Sequence, residues 1–322
     1  MRRHCFRNPG ARDAGLRVVP PVVRHAGAEG VADAGAVNMT DRVGLGWRSE
    51  LAAGILSNLD RIDVIEVIAD DYFDSPARVR ALKTLASQSC VVLHGIALGM
   101  ASTAPVDRKR LGKMAKLVEQ IRPESWSEHL AFVRAGDIEI GHLAAPPRTQ
   151  STIDATAENL ETARKMIGSL PLVENIATLI DPPASSFAEP EWLTETVAAS
   201  GAELLLDLHN LYANCINFKI DTGDFLARLP LDRVRVVHIS GGRFIGRILD
   251  DHLHDPPDPI YDLLAELAGK CQNPLTVVLE RDGSYPPMDH LLAQLDRARR
   301  AMAEGRARER SEDGKVSSIA VC

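Results

Sequence analysis

The sequence lacks the features that would place it in several common classes. It has five cysteines, Cys5, Cys90, Cys215, Cys271 and Cys322, and no C-x-x-C pair. That count and spacing argue against a disulfide framework or a thiolate metal site, and predict reduced, mostly buried thiols. No run of 18 apolar residues occurs, so no membrane-spanning helix is expected. Basic residues are not in excess: 37 Lys and Arg against 44 Asp and Glu leave a net charge of −7, which argues against nucleic acid as a partner. The first 38 residues are rich in Arg, Gly and Ala and contain no continuous apolar h-region. No Gly-rich phosphate fingerprint follows any β-rich run, which weakens a doubly wound open sheet. The expectation is a cytoplasmic protein that engages neither nucleic acid nor a membrane.

With 322 residues, 45% apolar and 25% charged, the chain suits one large α/β barrel or two ordinary domains. Patterned sequence begins after Met39, the expected natural start. Residues 1–40 read as a disordered extension, 41–304 as one folded domain and 305–322 as a flexible tail. Within the folded part, eight β-rich runs are predicted at 43–47, 63–68, 90–94, 125–129, 171–174, 203–207, 234–239 and 275–280. Several are continuous apolar runs (VIEVI, CVVL, ELLLD, VRVVHI, LTVVLE), as expected of parallel strands covered on both faces. Helices are predicted between them at 76–87, 107–120, 153–167, 190–199, 221–229, 259–268 and 287–303. Proline at several of their starts fits the first turn. Eight strands alternating with helices predict a TIM-like (β/α)8 barrel, a single domain.

Polar residues gather where these strands end. The strand ends carry His94, Glu128 and His129, Glu174 and Asn175, Asp207, His209 and Asn210, His238, and Glu280 to Asp282. The loop after His238 carries Asp250 and His252, while strand two contributes Glu66 and, beyond it, Asp70. A lone histidine at a strand end is more often structural. Six successive strands ending this way converge on one barrel mouth, where burying the charges is costly unless cations compensate. Nitrogen and oxygen donors without thiolate suit Fe, Mn or Zn. Four imidazoles (His94, His129, His238, His252) and four carboxylates (Glu174, Asp207, Asp250, Glu280) exceed the needs of one ion, so two or three ions bridged by Glu174 and Glu280 are expected. Glu128, Asn175, Arg281 and Asp282 are candidates to orient these groups, with ordinary salt bridges as the alternative. The turn at 240–243 and the following loop are a candidate binding rim, with Tyr212 and Asn214 near the mouth.

GLGWR (44–48), EVIADDYF (66–73), LHGIALGM (93–100), SEHLAF (127–132), VENIA (173–177), LDLHNLYAN (206–214), HISGG (238–242), DDHLH (250–254) and LERDGSYP (279–286) occur in that order. Together they resemble the multinuclear non-haem iron-dependent oxidase family, over about residues 43–300. The resemblance implies a barrel with two or three irons and dioxygen as co-substrate. It implies modification of a ribosomally made precursor peptide, at cysteine or another residue, and a separate partner protein that presents it. By motif position it implies His94, His129, Glu174, Asp207, Asn210, His238, Asp250, His252 and Glu280 as metal ligands. Of these, His94, Glu174, Asp207, His238 and Glu280 would form the catalytic set. His209 ranks below Asn210. Asp70-Asp71 replaces the Glu-Asn of many members, which leaves the role of Asp70 open. The layout is also similar to the wider superfamily of xylose isomerase and endonuclease IV. That similarity supplies two competing readings, a zinc or manganese phosphodiesterase and a sugar isomerase.

Overall fold

The computed structural model describes residues 40–136 and 138–319, with side chains described up to residue 309. The extension expected over residues 1–40 lies outside the described residues but for its last position. In chain order the elements are β1 (Arg42–Gly46), α1 (Ala52–Leu56), β2 (Val64–Ile68), α2 (Pro76–Ala86), β3 (Cys90–Gly95), α3 (Arg108–Ile121) and β4 (Trp126–His129). A hairpin of β5 (Phe132–Ala135) and β6 (Ile138–Ala144) follows, then α4 (Gln150–Ile167), β7 (Leu172–Glu174), α5 (Glu189–Ser200), β8 (Glu203–Asp207), α6 (Leu208–Phe218) and α7 (Thr222–Ala227). The last part contains β9 (Val234–Ile239), a hairpin of β10 (Gly241–Phe244) and β11 (Ile248–His254), α8 (Asp258–Lys270), β12 (Thr276–Leu279) and α9 (Met288–Ile319). Eight parallel strands close a barrel in the order β1-β12-β9-β8-β7-β4-β3-β2, as the alternation of runs predicts.

The strands coincide with the apolar runs because both of their faces are covered. Outward side chains such as Leu93, Val173, Leu206 and Val237 join the large core beneath the helices. Inward, Leu172, Leu205, Val236 and Val278 form a separate buried cluster inside the barrel. Side chains two apart on a strand share a face. The next inward residues on those four strands are therefore Glu174, Asp207, His238 and Glu280, and the strands lift all four above the apolar floor.

Three features depart from the sequence reading. The stretch after His129 and the extended loop after His238 each form an antiparallel hairpin standing at the barrel mouth. A helix, α6, starts directly after Asp207, whose side chain accepts from the backbone N–H of Asn210 and caps it. Helix α9 runs to Ile319, across the expected boundary at 304/305. Of the thiols, Cys215 and Cys271 are buried and Cys90 is half-buried, and all three are free. No described helix is long and apolar enough to cross a membrane.

Candidate metal centre

Glu174 stands at the middle of the mouth. Its Oε2 is 3.5 Å from His94 Nε2 and 3.4 Å from His129 Nε2, and its Oε1 is 3.3 Å from His238 Nδ1. Glu280 Oε2 is 3.0 Å from the same His238 nitrogen and 3.6 Å from His252 Nδ1. Two sets of donor atoms lie within 4.8 Å of one another: His94, His129 and Glu174, and then Glu174, Asp207, His238 and Glu280. Glu174 belongs to both, the position a bridging carboxylate would hold. Beside them Asp250 Oδ1 lies 2.8 Å from His252 Nε2 and 2.9 Å from His209 Nδ1.

These residues fit a metal cluster by their unmet bonding. Glu174 Oε2, Asp207 Oδ2, Asn210 Oδ1, His238 Nδ1 and His252 Nε2 are buried without a well-aligned hydrogen bond, as is His129 Nδ1 on the side of its ring toward Glu128. Buried polar atoms are rarely left so, because each loses its water. Glu66, Glu128, Glu174, Asp207 and Glu280 are all buried. Arg48, which the charges of Glu66 and Glu280 influence, makes its own bonds to Asp282. Bound cations would balance this charge and occupy the open donor atoms together.

Without metal, the imidazoles act as the counter-charges. Burial and the carboxylates of Asp250 and Glu174 push the Asp207 carboxyl well above its usual range. Burial pushes Glu280 the same way, but His238 and His252 outweigh it and hold its carboxyl well below. Burial lowers His94. For His129, the carboxylates of Glu174 and Glu128 overcome burial and raise the imidazole to about 9.

The centre opens into a cavity of about 1360 Å³. Its walls include β6, the segment 176–183 and the start of β11, with Ile96, Phe132, Ile176 and Leu179 among the apolar lining. A buried brace holds the 176–183 segment. Arg148 pairs with Glu189 at 3.0 Å, and Asn214 donates to Glu189 and to Ile176 O while accepting from the Thr178 N–H. The other hairpin enters through Gly241 and Gly242. A Cβ at either would stand 2.1 Å from Asp255 O or 1.9 Å from Leu249 O, so only glycine lets the backbones approach.

Seven of the nine residues expected as ligands line this cavity, Asp207 and His238 lie fully buried beside Glu174 and Glu280, and His209 is turned toward Asp250 rather than open. Of the orienting candidates, Asp282 accepts from His252 Nδ1 and Asn175 pairs with the backbone of Asp207. Glu128 accepts from the Leu98 and His129 N–H groups. Arg281 turns away to Asp255 and to the carbonyls of Gly283 and Ser284, the salt-bridge alternative. Asn214 does not line the mouth; it is fully buried in the brace. Asp70 accepts from the Ile96 N–H. Two contacts had no role in the sequence reading: Glu66 on His238, and Ser127 on His94 at 2.8 Å. Both follow from the strand alternation that lifts Glu174 and its three counterparts.

Residues 42–303 match the family described as RiPP precursor modification enzyme MbnB/TglH/ChrH. UPF0276 proteins of Streptomyces avermitilis and Chromobacterium violaceum are 33% and 30% identical over 273 and 269 residues. The alignments cover 82% and 83% of this chain, 56% of the Streptomyces protein and 96% of the Chromobacterium protein. The chain thus spans about half the length of the former relative and nearly all of the latter. Among solved structures, an L-ribulose 3-epimerase superposes with a TM-score of 0.54 at 16% identity, over 86% of this chain and 98% of that one. A xylose isomerase domain protein from Alicyclobacillus acidocaldarius gives 0.56 at 16%, over 83% and 100%. At such identities the likeness concerns the barrel alone.

Proposed function

Because this chain belongs to the RiPP precursor modification enzyme MbnB/TglH/ChrH family, we propose that it is a multinuclear iron-dependent oxidase acting on a ribosomally made peptide. The observation that carries the reading is the convergence of five buried donor atoms without a hydrogen bond, Glu174 Oε2, Asp207 Oδ2, Asn210 Oδ1, His238 Nδ1 and His252 Nε2, on one barrel mouth. His94, His129, Glu174, Asp207, Asn210, His238, Asp250, His252 and Glu280 would hold two or three irons. Iron, when bound, supplies redox chemistry with dioxygen as co-substrate. Glu174 and Glu280 would span neighbouring ions, and the apolar floor formed by Leu172, Leu205, Val236 and Val278 excludes water from below.

The cavity, at about 1360 Å³, has room for a peptide segment, and its rim is partly apolar. Ile138, Ile180, Phe244 and Ile245 are each more than 60% exposed, Ile180 on the cavity rim and the others at the tips of the two hairpins. This rim supports a peptide over the sugar of an isomerase, and the absence of a basic excess counts against the phosphodiester of a hydrolase. We assign cysteine as the residue modified, and a separate protein as the one that presents the peptide. The test is metal analysis with Mössbauer spectroscopy on protein from iron-supplemented cells. Two or more irons per chain with a spin-coupled ferric signal are expected. Stoichiometric zinc with little iron, unchanged by anaerobic purification, would replace the oxidase by a hydrolase.

A further inference from the structure

We propose that Glu66 is a positioning residue that inverts His238, so that this imidazole faces the metal centre through Nδ1 while His94 and His252 face it through Nε2. Each ring is fixed by what its other nitrogen touches. His94 Nδ1 lies 2.8 Å from Ser127 Oγ, and Ser127 directs its own hydroxyl to the Leu93 carbonyl. A carbonyl can only accept, so Ser127 accepts from His94 Nδ1–H, and the Nε2 lone pair points at Glu174. His252 Nδ1 donates to Asp282 at 3.2 Å, and Asp282 is itself held by Arg48, which leaves Nε2 open beside Asp250.

His238 is built the other way round. Its Nε2 lies 2.9 Å from Glu66 Oε2, and its partnerless Nδ1 lies between Glu174 and Glu280. Both members are buried, His238 at 0% and Glu66 at 2% exposure. A carboxylate so placed accepts strongly and holds the proton on Nε2, which leaves Nδ1 the basic nitrogen. Turning the ring by half a turn would put carbon at both places, losing the hydrogen bond and the donor toward the centre. The orientation therefore depends on Glu66, which comes from a strand that supplies none of the nine proposed ligands.

The inference rests on the metal reading of the site, and on neither iron nor peptide. Zinc(II) serves as a diamagnetic probe on the full chain labelled with 15N-histidine. Long-range 1H–15N spectra should show one imidazole with a protonated Nε2 and a metal-bound Nδ1, and the H238Q spectrum should lack it. In chelator competition, Glu66→Ala should weaken zinc binding about 10- to 100-fold. Glu66→Gln, which keeps an accepting oxygen, should stay within about 3-fold of the unsubstituted protein. A His238 signal bound through Nε2 overturns the inference, as does an E66A protein that holds zinc as tightly as the parent. The spectra of the unsubstituted protein decide the matter even if E66A fails to fold. No zinc binding by the unsubstituted protein would overturn the metal reading itself.

Discussion

Glu174 Oε2 lies 3.4 Å from His129 Nε2 and makes no hydrogen bond, although both residues are buried. Two donors each about 2.1 Å from one tetrahedral ion would stand about 3.4 Å apart. The spacing is that of two ligands sharing an ion. Since Glu174 belongs to both donor sets, Glu174→Gln should lose more metal than a change at the edge of the cluster. We expect at least one ion per chain fewer in E174Q than in Asp250→Asn, measured by elemental analysis after gel filtration. Equal losses would argue against a bridging role.

Metal removal should destabilise the fold, because the buried carboxylates then depend on imidazolium partners alone. A ligand at 100 times its dissociation constant stabilises by about 2.7 kcal/mol. Chelation should therefore lower the melting temperature by several degrees, read by scanning calorimetry with and without EDTA. An unchanged melting temperature would mean that the site is complete without ions.

Asp70 gives a pH signature of its own in metal-free protein. Burial, then the nearby Glu128 carboxylate, raises its carboxyl to about 6. A group raised above its unfolded value contributes stability below the unfolded value and loses it as pH rises through the folded one. The cost therefore grows between about pH 4 and 6 and is at most about 3 kcal/mol above that. Asp70→Asn should match the parent near pH 4 and be more stable at pH 7. A constant difference across this range would exclude Asp70 as its source.

The brace behind the cavity wall makes a stability prediction. Arg148→Met would leave Glu189 buried beside Asn214 without its cation, a change expected to cost roughly 3 kcal/mol. Adding Glu189→Gln, which removes the charge but still accepts from Asn214, should recover part of the loss. Urea titrations of the parent, the two single variants and the double variant would show it. If the double variant were as weak as the sum of the singles, the charge would not be the cause.

The eight barrel strands were legible because continuous apolar runs such as VRVVHI need cover on both faces. Glu174, Asp207, His238 and Glu280 were legible because each follows an apolar floor residue by two. The same step from Val64 to Glu66 could have exposed the partner of His238. The hairpins were not legible. Of the seven residues of β6, five are exposed and two half-buried, so no alternation marks it. Helix α6 was hidden because Asp207 does two things at once. One carboxylate oxygen caps the helix through Asn210, and the other stays open toward the cluster. Read only as a strand end, the run LDLHN gave no hint of a helix start.

The two hairpins at the mouth differ in what change would do to them. β11 carries Asp250 and His252, so a substitution there that shifts the strand is felt by groups at the centre. β6 carries none of the nine proposed ligands, and its side chains face solvent and cavity. Sequence drift, insertion or wholesale exchange at 138–144 can therefore reshape that wall of the cavity while the cluster of His and carboxylate residues stays as it is. Diversification among relatives should concentrate on that wall and spare the opposite one.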